Sequence, residues 1–335
     1  TKLDAAADWV NFPGLAVCAA SPETIYAVGY VHKDGDDYGR VYKSTNGGTT
    51  WTNVTSAQLE EEQYLRSVAV DPRDPKRAYV TNRDGVARTT DGGASWALQT
   101  APDDFYPTAV AVDPANSKAL YAQTISWGDN PGFYKSQDGG LTWARTTTGV
   151  YGIGIRVLAA GRTVWLGSSA GIFRSNNGGA AFAPAQKGLA ASWVDDLDLV
   201  ASSPSTLFAY VSQYGAMRTK TRGTSWLKGP LFKDADGVAD VLAHPSNPLR
   251  SYILTWGYGE DDLFRSTDGG KTFKSIFRKD VNALAGDPSD GDRLALAGRV
   301  YNSDWRSEPS YFGIYLSDDG GENGRPIKIR TDDGS

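Results

Sequence analysis

Four segments of this 335-residue sequence gather carboxylates and aromatic rings: Tyr30–Arg40 (YVHKDGDDYGR), Ser126–Gly132 (SWGDNPG), Thr255–Asp262 (TWGYGEDD) and Arg299–Gly313 (RVYNSDWRSEPSYFG). Flat Trp and Tyr faces suit the apolar C–H faces of sugar rings, and carboxylates accept sugar hydroxyls. Two carboxyl groups can also supply the acid and base of glycoside cleavage. Asp304 and Asp261 are the expected catalytic pair, with Trp127, Trp256, Tyr258, Trp305, Asp37 and Glu260 holding the substrate. His32, with Tyr301 and Arg306, fits a second chemistry. In a polysaccharide lyase a base removes the proton beside a uronate whose charge has been neutralised. Loop carboxylates are also commonly just solvated. The Asp34–Asp37 run could hold a hard cation such as Ca²⁺, but its spacing lacks a full cage, so no metal is assigned.

The bulk composition narrows the field. The net charge of −5 argues against nucleic acid or an anionic membrane as the main partner. No run of 18 apolar residues is present, so no membrane span is expected. The one cysteine, Cys18, excludes an intrachain disulfide and reads as a small buried hydrophobe. Of the two histidines, His244 stands in LAHPSNP where other repeats have the Asp of VDP, and reads as a turn residue. There is no G-x-S-x-G elbow, phosphate loop or H-E-x-x-H helix. No cofactor is expected. GIGIRVLAAG (Gly152–Gly161) reads as an inner strand, not a nucleotide loop.

The elements that must position these segments come from a repeat. Phrases such as STNGGTTW, TTDGGASW and STDGGKTF begin at positions 44, 89, 136, 175, 219, 266 and 317. The fifth copy has Thr221 in place of Asp, and the seventh lacks the aromatic. A period near 45 residues fits four short strands and their turns, the unit of a propeller blade. The expected fold is all-β: a seven-bladed β-propeller of four-stranded antiparallel blades, one domain over residues 1–335, with the phrase between third and fourth strands. ADWVNFPG could pair into the last blade and close the ring, with PIKIR competing for that place. Within the phrase, Asx and Ser/Thr side chains bond nearby backbone N–H groups, and Gly supplies positive φ. That is a turn staple; a catalytic role would require one site per blade.

The phrase S-x-[DN]-G-G-x-[TS]-[WF] resembles the Asp-box, or BNR repeat, of sialidases, sortilin-type receptors, two-propeller xyloglucanases and a photosystem II assembly factor. VAVDPRDPKRAYV and LAHPSNPLRSYIL also resemble xyloglucanase and sortilin blades. The resemblance implies that the boxes face away from the ligand side, which second-to-third-strand and between-blade loops form. It does not imply a function, since these relatives do unrelated things. The Arg-Ile-Pro motif of Asp-box sialidases is absent.

Laid along the chain, the repeat shows which loops exceed the blade plan. The second-to-third-strand connections are minimal in blades two, four and five (NRDG, SSAG, SQYG) and extended in one, three, six and seven. Blades six, seven and one are neighbours in a closed ring, so their long loops should build one acidic, aromatic wall. The expectation is a secreted carbohydrate-active propeller, hydrolase or lyase, acting on a polysaccharide or oligosaccharide as a monomer. The alternative is a non-enzymatic propeller that binds a glycan, peptide or partner protein.

Overall fold

The computed structural model describes residues 9–62, 65–99, 105–125, 132–146, 148–189, 193–232, 235–256, 262–278, 281–297, 300–301, 314–321 and 325–326. These form seven antiparallel sheets, six of four strands and one of five. The innermost strands are Trp9–Cys18, Val68–Asp71, Pro107–Asp113, Gly154–Ala160, Val194–Leu199, Gly237–Ala243 and Ala283–Gly286. Each packs against the next, and Trp9–Cys18 packs against Ala283–Gly286, so the ring closes as a seven-bladed β-propeller. Gly154–Ala160 is thus the inner strand expected of GIGIRVLAAG.

Seven core clusters lie between and within the blades. Second strands buried along their length, such as Leu207–Val211, explain the continuous apolar runs. Cys18 is fully buried, and its Sγ donates to the Asp71 carbonyl at 3.3 Å.

The repeated phrase occupies the turn after each third strand. Ser44 Oγ accepts from the Gly48 N–H at 2.8 Å and donates to Asn46 Oδ1, which accepts from the Thr50 N–H at 2.8 Å. Ser266, Asp268, Gly270 and Thr272 repeat that pattern. The fifth copy keeps it with different atoms: Thr221 Oγ1 accepts from the Ser225 N–H at 3.0 Å. There Arg222 takes φ 54°, where the other copies have Gly. Trp96 and Trp226 donate from Nε1 to Val54 and Ala185 carbonyls in the preceding blades, at 2.7 and 3.0 Å.

The first-to-second-strand turns share this turn face. Asp71 caps its own turn through the Arg73 N–H and takes the Ser117 hydroxyl of the next blade. His244 does the same local task, its Nδ1 accepting from the Ser246 and Asn247 N–H groups. The opposite, loop face carries the second-to-third-strand connections and the chain entries to each inner strand.

Two expectations change. Tyr30–Arg40 is not an extended loop. Ser21–Lys33 and Asp36–Ser44 run as a long hairpin in unbroken register from Ile25–Ser44 to Lys33–Asp36. Asp34 and Gly35 form its two-residue turn, both with positive φ, as a type I′ hairpin requires. The DG pair that looked like part of an ion loop is a turn signal. Ring closure also differs: Trp9–Cys18 is one inner strand of blade one, and Arg325–Pro326 supplies the fourth strand of blade seven.

Candidate functional site

Inner strands enter from the loop face, and in blades three to six each entry carries a register shift. The shifts fall between Pro107 and Ala109, Gly154 and Arg156, Val194 and Asp196, and Val238 and Asp240. A bulge adds one residue, twists the strand and re-aims its neighbours. The residues after three of these bulges are charged: Arg156, Asp196 and Asp240. Arg156 Nε lies 3.3 Å from Asp196 Oδ1, and its Nη2 lies 3.9 Å from Asp240 Oδ1. The other carboxylate oxygens hold the blades together. Asp196 Oδ2 accepts from Val241 N–H at 2.7 Å, and Asp240 Oδ2 from Leu284 N–H at 2.9 Å. Lower down, Asp198 Oδ2 accepts from Ala243 N–H at 2.8 Å.

Burial raises the carboxyls of Asp240 and its neighbours Asp198 and Asp195. Desolvation raises Asp240 well above the usual carboxylate range, and the adjacent Asp196 charge adds to it, against the pull of Arg156. Burial pushes Asp198 up to about 6. Asp195, the bulge residue of blade five, is also raised by burial, while Ser212 Oγ donates to its Oδ2 at 2.7 Å. A carboxyl raised in this way beside the loop face is better suited to general-acid chemistry than an ordinary one.

An arc of aromatics follows the same entries. The exposed large aromatics among the described residues are Tyr106, Tyr151, Trp193 and Trp256. Tyr106, Tyr151 and Trp193 precede the inner strands of blades three, four and five. Trp256 ends the second strand of blade six, paired with Gly237 at that blade's entry. A Cβ on Gly237 would meet the indole at 2.6 Å, so glycine there is what lets the ring lie over the strand. All four are on the loop face.

Of the expected site residues, His32 and Asp37 come together: His32 Nδ1 lies 2.7 Å from Asp37 Oδ1 as a cross-strand pair of the blade-one hairpin. Tyr301 is drawn toward them by backbone pairing. Val300–Tyr301 adds a fifth strand to blade one, with Tyr301 opposite Trp9 and Trp9 opposite His32. The long connection of blade seven thus reaches blade one. Trp256 is 49% exposed. Asp304, Asp261, Arg306, Trp127, Tyr258, Trp305 and Glu260 lie outside the described residues. Among the described residues there is no group of three or more His, Cys, Asp or Glu placed to hold a metal. Nor is any helix long and apolar enough to cross a membrane.

Sequence reasoning missed Arg156, Asp195, Asp196, Asp198 and Asp240. The signal was present: VDDLDLV and VADVLA carry acids in inner strands that elsewhere read SVAVDP or TAVAVDP.

The closed ring, four-stranded blades and stapled third-to-fourth-strand turns define a seven-bladed propeller of the Asp-box type. A family model described as Sortilin-Vps10 (sortilin, neurotensin receptor 3) matches residues 39–154. The chain is 23% identical to the xyloglucanase Xgh74A of Acetivibrio thermocellus, over 79% of this chain and 38% of that one. It is 28% identical to a Hypocrea jecorina xyloglucanase over 34% of this chain and 16% of that one. The chain therefore spans well under half the length of these relatives. The solved Niastella koreensis GH74 enzyme superposes with a TM-score of 0.72 at 19% identity, covering 94% of this chain and 53% of that one. A structure described as YCF48 bound to D1 peptide gives 0.64 at 15% identity, covering 92% and 96%. At these identities the structural likeness establishes the fold alone.

Proposed function

We propose that this protein is a secreted, carbohydrate-active propeller that holds a polysaccharide across its loop face. The observation that carries the reading is the arc Tyr106–Tyr151–Trp193–Trp256. Exposed rings are costly to leave in water, and here they follow four consecutive blade entries beside carboxyls raised by desolvation. The relatives named as xyloglucanases favour a polysaccharide ligand, and xyloglucan is the first probe. Cleavage would use Asp195 as an acid on the blade-five side, or the Asp304–Asp261 pair of the blade-six and blade-seven loops. His32 beside Asp37, with Tyr301 in the same row of strands and Arg306, is the corresponding lyase set.

A second reading is favoured by one observation. Asp37 and Asp195 are each already engaged, by His32 and by Ser212, which suits a surface that binds without cleaving. The YCF48 structure, described as bound to a peptide, is similar over nearly its whole length.

The test is a polysaccharide panel scored for binding, for new reducing ends and for absorbing unsaturated ends. Binding with reducing ends assigns a hydrolase, unsaturated ends a lyase, and binding alone the second reading. A panel without any binder refutes the carbohydrate assignment.

A further inference from the structure

Blades two and three enclose, on the loop face, an open cleft of about 430 Å³, a volume within the range of small-ligand sites. It lies beyond the blade-three end of the aromatic arc. Arg66 stands before the inner strand of blade two, and Asn82 and Arg83 lie in that blade's tight second-to-third-strand turn. Tyr106 and Thr108 line it from the blade-three entry, and Ile125 from the end of that blade's second strand.

The polar groups are unusual for a structural turn. Asn82 is 2% exposed. Its Oδ1 accepts from the Asp84 N–H at 3.1 Å, which fixes the amide, while its Nδ2 donor has no partner among the described residues. A buried donor left unpaired is costly, so an acceptor that reaches it is favoured. Arg83, next in the chain, is exposed and makes no ion pair among the described residues. Glu62 and Asp84 set an opposing field: burial and then Asp84 raise the Glu62 carboxyl, while Arg83 lowers it. Tyr106, 38% exposed, gives the cleft a flat apolar wall.

We propose that this cleft is a subsite for a carboxylate-bearing sugar, a uronate residue of a polysaccharide, and the proposal rests on the reading of the loop face as a glycan surface. The guanidinium of Arg83 pairs with the sugar carboxylate in the planar, two-bond geometry that Arg favours, and Arg66 adds positive potential. Asn82 Nδ2 donates to the remaining carboxylate oxygen or an adjacent hydroxyl. Tyr106 supports the ring face and leads the chain toward Tyr151. A neutral sugar would satisfy Tyr106 and Asn82 but leave the guanidinium without its anion.

The experiment titrates the protein calorimetrically with tetragalacturonate and with its fully methyl-esterified counterpart, in which each carboxylate is a neutral ester. The acid is expected to bind about tenfold more tightly. Arg83→Gln, in an exposed turn, should remove that preference without changing the thermal midpoint, and Arg83→Lys should restore only part of it. At about 0.5 M salt the preference should shrink. Equal binding of acid and ester, weakened alike by Trp193→Ala, would overturn the uronate subsite and leave the glycan surface standing. Acid preference that survives Arg83→Gln would also overturn it. Failure of both probes and of every panel polysaccharide would overturn both.

Discussion

The two faces of the propeller use aspartate in opposite ways. On the turn face, Asp138 and Asp268 are half-buried and accept from the hydroxyls and N–H groups of their own turns. Thr142, by side chain and backbone, holds Asp138 down to about 2, and the Asp268 turn, against its slight desolvation, does the same. Around the inner strands, Asp240 is buried and Asp195 and Asp198 are half-buried, and desolvation raises each, Asp198 to about 6. The repeated, visible aspartates staple their own turns, while the unrepeated, inconspicuous ones are raised by desolvation at the inner strands. Repetition marks scaffold here, and departure from it marks the candidate site.

The largest expected effect separates the faces by ligand affinity. Replacing Trp193 and Trp256 together by Ala should weaken polysaccharide binding about a hundredfold, roughly the loss of 3 kcal/mol of apolar contact. Leu141→Ser, at a comparably exposed site on the turn face, should leave it unchanged in the same calorimetric titration. Equal losses would erase the distinction.

Gly223→Ala should give the converse pattern. Gly223 has φ 79°, and a Cβ there would approach the Ala185 carbonyl oxygen to 2.3 Å. Strain and overlap together should cost about 3 kcal/mol in urea unfolding. Affinity at a concentration where the variant remains folded should not move.

The pH dependence of stability should show both faces. The depressed box carboxylates contribute stability that is present above their unfolded value of about 4 and lost as pH falls through about 2. The raised Asp198 works the other way. Its contribution is complete below about 4 and is lost as pH rises through about 6. The thermal midpoint should therefore rise from pH 2 to 4 and decline from 4 toward 6, and Asp198→Asn should flatten only the second limb.

The smallest effect sharpens the scaffold reading. Arg222→Gly relieves the one box residue, among those described, that takes positive φ without being glycine, and should raise stability by about 0.5 kcal/mol. A loss of stability would mean that Arg222 contributes more than its backbone.

The fold was legible because each box encodes a complete local hydrogen-bonding unit, so Ser266, Asp268 and Gly270 announce their turn without help from distant residues. His244 was legible for the same reason. Blade one was misread because acidity and length suggest a loop, whereas the positive φ at Asp34 and Gly35 sets a hairpin turn. The Arg156–Asp196–Asp240 cluster was not legible as a unit. These residues lie 84 positions apart end to end in the sequence and meet only because three inner strands share one bulge position. Burial, which raises Asp240, is a property of the closed ring. The aromatic arc was half visible: Trp256 stood out within a long segment, while Tyr151 and Trp193 lie in connections of ordinary length.

The central claim is that ligand is held on the loop face. Its most direct test is amide hydrogen exchange with and without the tightest-binding panel oligosaccharide. Protection should appear at the entries of the inner strands of blades three to six, around Tyr106, Tyr151, Trp193 and Gly237, with the boxes at Ser136–Trp143 and Ser266–Phe273 unchanged. Protection centred on the boxes, or none at those entries while the ligand is bound, would contradict it.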